Sequence, residues 1–282
     1  VKIAIASGKG GTGKTTIATN LALFLSESQE SVVYLDCDVE EPNGHLFLKP
    51  LIKDSETSSI AIPVIDESKC VACGECVKFC EYRALARLGT TVMLFPELCH
   101  GCGGCTLVCP HNAIKEHGRE IGRVESGETK GIGFVHGRLN IGEAMSPPLI
   151  RDVLAKANDD KVNIIDAPPG TSCPVIASIR GADFIVLVTE PTPFGLNDLG
   201  LALDMVKELS VPFGVVVNRH EAANSDAERF CRERGADILA TIADDRRIAE
   251  CYSRGEMILH GVEDVQKNFE ELWLAIRKRV NE

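Results

Sequence analysis

The sequence predicts an α/β fold: a mostly parallel sheet covered by helices on both faces, interrupted once by a smaller α+β module. Three observations predict it. Short apolar runs rich in β-branched residues alternate with amphipathic stretches through most of the 282 residues, the pattern of strands buried on both faces. A glycine-rich loop follows the first of these runs and opens the first helical stretch. The rhythm then breaks after Pro50 and returns by about Pro147, with eight of the twelve cysteines packed between Cys70 and Cys109. A chain of this length suits one large domain with a small insertion.

Taken in order, VKIAIAS is the first strand and IATNLALFLSES the first helix. SVVYLD (31–36), VNIIDA (162–167), DFIVLVTE (183–190) and PFGVVVNR (212–219) are further strands, and a helix is expected over 149–157. Residues 1–61 and 119–282 are assigned to the large, discontinuous domain and 62–118 to the insertion. GREIGRVESGETKGIGFVHGRLNIGE is glycine-rich and fits extended β-structure. The last segment, NFEELWLAIRKRV, is amphipathic. Phe269, Leu272, Trp273 and Ile276 are expected to pack on the sheet, the other use of such a helix being membrane contact.

Acidic residues outnumber basic ones by 41 to 30, a net charge of -11. That balance argues against nucleic acid or an anionic membrane as partner. No apolar run approaches the roughly 18 residues of a membrane span, so no stable membrane insertion is expected. The first apolar run leads straight into the glycine loop, so no signal peptide is expected. Clustered cysteines beside a phosphate loop suit metal binding in a reducing, cytoplasmic compartment better than a disulfide framework.

Gly8, Lys9, Gly10, Gly11, Thr12, Gly13, Lys14 and Thr15 satisfy G-x-x-x-x-G-K-[ST], with Thr16 following. Glycines let backbone amides wrap phosphate oxygens at a helix N-terminus, Lys14 reaches the β- and γ-phosphates, and the Thr15 hydroxyl binds Mg2+. The fold class thus becomes a P-loop NTPase. KGGTGKTT, with Lys9, resembles the deviant Walker A motif of the MinD, ParA and Mrp ATPases and of the nitrogenase iron protein. The resemblance covers about residues 1–50 and 145–260 and extends to three more motifs at strand ends. DCDVEEPN resembles the family's switch I, DAPPGT (166–171) its switch II, and Asn218-Arg219 stand where it holds adenine.

The resemblance implies ATP and ADP as ligands and a homodimer formed on ATP binding. It implies that Lys9 crosses the interface to the partner's nucleotide, much as an arginine finger does. Asp38 would polarise the attacking water, and Asp36 and Asp166 would act near Mg2+, mostly through bound water. A strand-end aspartate also caps the following helix, and that alternative stands for each carboxylate.

Cys70, Cys73, Cys76 and Cys80 repeat the spacing of Cys99, Cys102, Cys105 and Cys109. Zinc ribbons pair two separated C-x2-C units, whereas steps of three, three and four fit iron–sulfur ligation better. The two runs resemble a bacterial two-cluster ferredoxin domain. That resemblance implies one 4Fe-4S cluster on Cys70, Cys73, Cys76 and Cys109, and another on Cys99, Cys102, Cys105 and Cys80. Cys109 precedes Pro110, but Cys80 precedes Glu81, a departure that bears on the solvation of the second cluster. His100 and His111 are read as surface residues or supports of the thiols. Cys173 lies seven residues after Asp166, at an offset where the nitrogenase iron protein holds a bridging cluster; with no second cysteine nearby, it is read as a buried or idle thiol.

The expected function is an ATPase with inserted clusters, donating electrons under nucleotide control or helping to assemble a metal cofactor. Its expected protein partner is a redox or cofactor-assembly protein. Three rivals stay open: an iron–sulfur carrier, a MinD-like positioning protein that senses redox state, and an ATP-dependent amide-forming synthetase.

Overall fold

Backbone pairing turns the alternating pattern into one continuous sheet. The computed structural model describes residues 1–221, 223 and 225–280. It runs β1 (Lys2–Ala6), α1 (Lys14–Glu27), β2 (Val32–Asp36), α2 (Gly44–Leu48) and β3 (Leu51–Ile65). The cysteine-rich stretch holds α3 (Glu75–Phe79), β4 (Leu85–Leu88), β5 (Thr91–Leu94), a 3-10 turn at Pro96–Leu98 and α4 (Gly104–Leu107). There follow β6 (Ile114–Thr129), β7 (Ile132–Leu139), α5 (Pro147–Leu154), β8 (Val162–Asp166), α6 (Cys173–Ile179), β9 (Phe184–Thr189) and α7 (Pro193–Leu209). The chain closes with β10 (Phe213–His220), α8 (Asp226–Glu233), β11 (Ile238–Ala243), α9 (Arg246–Ser253), α10 (Ile258–Gly261) and α11 (Val265–Val280).

Among the described residues the strands order as β11-β10-β9-β1-β8-β2-β7-β6-β3. Pairing is parallel from β11 to β7, and β6 and β3 continue the sheet antiparallel. β2, β8 and β9 are buried along their whole length, because helices cover both faces. One core lies against α1 and α11, through Leu21, Phe24, Phe269, Leu272 and Ile276. The other lies against α5, α6 and α7, through Leu149, Val153, Val175 and Leu203. The terminal helix packs on the sheet as its pattern predicts, with Trp273 partly buried. Among the described residues no helix is long and apolar enough to cross a membrane.

β3 and β6 pair with each other from Leu51↔Glu128 to Ile65↔Ile114, and beyond Gly122, where β6 leaves β7, they run on as a two-stranded arm. The boundaries expected at 62 and 118 therefore fall inside these strands. The glycine-rich segment forms β6 and β7, as extended structure. Between the arm's ends, residues 66–113 fold around a small core of Cys76, Leu85 and Ile114. The β4–β5 hairpin closes one side of it.

Candidate functional site

Parallel strands bring their C-terminal ends to one edge, which is where loops in such sheets meet ligands. At the end of β1 the Gly8–Thr15 loop turns into α1 with Gly13 in the left-handed region at φ 92°. A side chain at Gly13 fails on two grounds: that backbone strains L residues, and a Cβ would lie 2.3 Å from Asn218 Nδ2. Asn218 Nδ2 in turn donates to Thr12 O at 2.8 Å, tying the loop to the end of β10. The buried Thr12 hydroxyl has no partner among the described residues. Such an unsatisfied polar atom in a phosphate loop fits a phosphate oxygen.

Lys14 leaves this loop into a buried carboxylate cluster. Its Nζ lies 3.3 Å from Asp166 Oδ1 and 3.9 Å from Asp38 Oδ2. Asp36 and Asp166 are register partners on β2 and β8, and both are fully buried. Asp36 accepts the Gly44 N–H at 3.0 Å and the Asp38 N–H at 3.2 Å. Asp166 accepts the Tyr34 hydroxyl at 2.8 Å. Burial works against the Lys14 charge, but Asp166, Asp38 and Asp36 outweigh it and hold the ammonium above its ordinary value. Burial and the adjacent Asp166 charge push the Asp36 carboxyl well above the usual range. Burial also lifts Asp38 to about 6, against the pull of Lys14. One ammonium thus faces three carboxylates. The remaining negative charge fits a divalent cation held largely through water.

Lys9 turns toward Glu190 of its own chain and makes an ion pair with it. Glu190 also accepts from Arg219 Nη1 at 2.9 Å and from the Thr192 hydroxyl at 3.2 Å. Burial alone would raise the Glu190 carboxyl; Lys9, Arg219 and Thr192 hold it below the usual range. A cavity opens beside these residues. It is lined by Gly11, Gly13, Thr16, Asn218 and Arg219 on one side and by Ala243, Asp244, Asp245, Ile248 and Tyr252 on the other. A flat base with polar edges suits such a slot.

All twelve cysteines are free thiols. Cys70, Cys73, Cys76 and Cys109 line one cavity, and Cys80, Cys99, Cys102 and Cys105 line another. Among the described residues no three His, Cys, Asp or Glu side chains converge as ligands of a single ion. The Ala113 N–H donates to Cys109 Sγ at 3.3 Å. His100 stacks on Tyr82 beside the second cavity, ring centroids 3.5 Å apart, and His111 borders the first.

The CobQ/CobB/MinD/ParA nucleotide binding domain (CbiA) matches residues 3–258. The chain belongs to this family. Its proteins are nucleotide-binding ATPases built on this mostly parallel sheet. An uncharacterized protein of Methanocaldococcus jannaschii is 36% identical over 223 residues, 78% of each chain. The iron-sulfur cluster carrier protein of Pyrococcus abyssi is 25% identical over 96% of this chain and 83% of its own length. Among solved structures, the cell division ATPase MinD of Pyrococcus furiosus superposes with a TM-score of 0.61 at 20% identity, covering 98% of each chain.

Within this family fold, the phosphate loop, Asp36, Asp38, Asp166, Asn218 and Arg219 gather at one sheet edge. Sequence reading missed Tyr34 and Glu190, whereas DDRRIAECYSRGEMI, which supplies the α9 wall of the cavity, is read by resemblance as the helix and loop that follow the adenine-binding strand. Glu190 ends a strand in TEPTP, and a carboxylate at a strand end is the signal that was available. Cys173 is exposed in the first turn of α6, so the expectation of a buried thiol there is corrected. Its place beside the switch II loop leaves it at the surface.

Proposed function

We propose that this family ATPase couples its nucleotide cycle to two 4Fe-4S clusters in the inserted module, donating electrons to a protein partner or serving assembly of that partner's metal cofactor. One observation carries the reading: each set of four thiols surrounds its own cavity, on an arm continuous with the sheet that bears the nucleotide loops. Four thiols spread around a void suit a cluster, whereas zinc needs them converged on one point. The Ala113 N–H on Cys109 supports thiolate charge there. When bound, the clusters supply one-electron chemistry.

The chain's residues divide the ATP chemistry. Loop amides and Lys14 hold the phosphates, Thr15 with Asp36 and Asp166 holds Mg2+, and Asp38 orients the attacking water. Asn218 and Arg219 border the adenine. Lys9, released from Glu190, reaches the nucleotide of a second copy in the ATP-bound dimer. Lys9→Ala is expected to spare nucleotide binding, weaken the dimer in sedimentation and lower hydrolysis about 100-fold or more. Hydrolysis at the unsubstituted rate would reject the shared site.

Binding is also expected to release protons. Burial lifts Asp38 to about 6, so the nucleotide-free fold holds it as the acid below that pH. Ionising it costs stability that is absent below about 4, the ordinary carboxylate value, and fully present above the folded value. A divalent cation held beside Asp38 would favour its ionised form. Titration calorimetry with ADP and Mg2+ near pH 6, in buffers of differing ionisation enthalpy, reads the release. Equal heats in all buffers would count against it. Hydrolysis should fall as pH drops through the same value.

The whole proposal is tested by anaerobic purification, which should give about eight iron and eight sulfide per chain. Redox titration of Asp38→Ala with ATP and then ADP should give different potentials. Stoichiometric zinc with little iron rejects it. A second reading, cluster carriage, is favoured by relatives named iron-sulfur cluster carrier proteins. Iron passing to an apo-protein during turnover selects carriage; iron retained while electrons leave selects donation.

A further inference from the structure

The segment joining β7 to α5 touches both the nucleotide loops and the arm. On the nucleotide side, the Leu139 N–H donates to Val39 O at 2.9 Å, and the Ser146 hydroxyl donates to Glu40 Oε1 at 3.2 Å. Val39 and Glu40 directly follow Asp38. On the arm side, the Asn140 N–H donates to Ile121 O at 2.9 Å. Arg119 grips Glu143 with both ends of its guanidinium, Nη1 to Oε2 at 2.5 Å and Nη2 to Oε1 at 3.1 Å. The Glu143 side chain is 5% exposed, so this fork is largely shielded from water.

Arg119 stands opposite Ile60 in the arm's register. The loop carrying the second thiol set leans on that same step: a Cβ on Gly101 would lie 3.1 Å from Ala61 O and 3.4 Å from Ile60 Cβ. Cys99 is buried in the large core with Val39, Ile121 and Leu149. Cys80 packs on both cores, whereas Cys76 and Cys109, with Cys105, pack in the small core around Leu85 and Ile114 and none of these three reaches the large one. Glu143 first, and Glu97 and Cys99 more weakly, hold the Arg119 guanidinium above its ordinary value.

We infer that the Arg119–Glu143 pair carries the nucleotide state to the thiol set of Cys80, Cys99, Cys102 and Cys105, leaving the other set insensitive to it. The inference rests on the reading that these thiols hold clusters. Its physical basis is short. A cation near a cluster favours the reduced form, which carries more negative charge. A two-point fork is held or broken as a unit, so movement of the Asp38–Glu40 loop through Ser146 and Glu143 relocates that cation. The coupling belongs to two arrangements of one segment, and it must bias both sites reciprocally.

The test uses the cluster-loaded full chain with Asp38→Ala to hold ATP. Two one-electron waves are expected, one differing between ATP and ADP. Adding Arg119→Gln should lower that same wave and abolish its nucleotide dependence, with iron content and ATP affinity retained. Arg119→Lys should keep the potential but lose the dependence, because it keeps the charge and loses the fork. Glu143→Gln serves as a second break should either Arg119 variant lose iron. A dependence that survives these variants, or that falls on the wave insensitive to Arg119, overturns the inference while sparing the proposed function. Coincident ATP and ADP titrations in the parent reject the functional reading instead. In that event hydrogen exchange still decides the link. Nucleotide-dependent protection running from 136–146 into β6, and stopping short of β6 in Arg119→Gln, supports it; protection confined to the nucleotide loops in both proteins overturns it.

Discussion

Lys14→Ala is expected to abolish nucleotide binding and to destabilise the nucleotide-free protein as well. The second effect is the less obvious. Lys14 is itself buried, and its ammonium faces Asp166, Asp38 and Asp36. Removing one partner of a buried charge cluster typically costs about 3–5 kcal/mol, because the remaining charges lose their compensation. The carboxyls escape by taking up protons. Asp36, already pushed up by burial and by Asp166, rises further. An acid whose folded value is raised loses stability from its ordinary value of about 4 up to that folded value and no further above it. The added loss from Lys14→Ala therefore builds between the parent's and the variant's folded values and is fully present above both. Denaturant melts at pH 5.5 and 8 read this difference, and Lys14→Met separates lost charge from lost packing of the stem. Affinity for ATP and Mg2+ should fall about 100-fold or more. Equal stability of variant and parent at both pH values would show that the cluster is compensated by some other group.

The parts of the site legible in the sequence are those whose signals are local. A glycine loop, a strand-end DCD and a strand-end DAPPG each declare themselves within a few residues. Parallel register then brings Asp36 beside Asp166 without further information. Tyr34 was illegible for the opposite reason: in SVVYLD it reads as one more apolar strand residue, and its hydroxyl finds Asp166 on the neighbouring strand. Glu190 likewise matters because the Gly8–Thr15 loop and β10 bring Lys9 and Arg219 to it from distant parts of the chain. The arm's first strand, β3, escaped notice because DSETSS, its middle, is polar and lacks alternation. Edge strands with solvated faces need little of it, since backbone pairing to β6 supplies their order.

Cys80→Ser is expected to empty the cavity lined by Cys99, Cys102 and Cys105, lowering iron from about eight to about four per chain. Proximity along the chain argues for the opposite loss, since Cys80 ends the run begun by Cys70. The geometry runs the other way. Cys80 caps the end of α3 with extended backbone, φ -74° and ψ 96°, and lines the second cavity. Cys109 follows α4, lines the first cavity, and takes the Ala113 N–H on its sulfur. Cys109→Ser should therefore empty the cavity of Cys70, Cys73 and Cys76. Alkylation under anaerobic conditions with peptide mapping identifies the thiols each variant exposes. Cys99, Cys102 and Cys105 should become reactive in Cys80→Ser and stay protected in Cys109→Ser. If Cys80→Ser instead exposes Cys70, Cys73 and Cys76, each run holds its own cluster and the crossed assignment fails. A crossed pattern means that neither cluster forms until both runs have folded against each other, so the module assembles as one unit at the end of its arm.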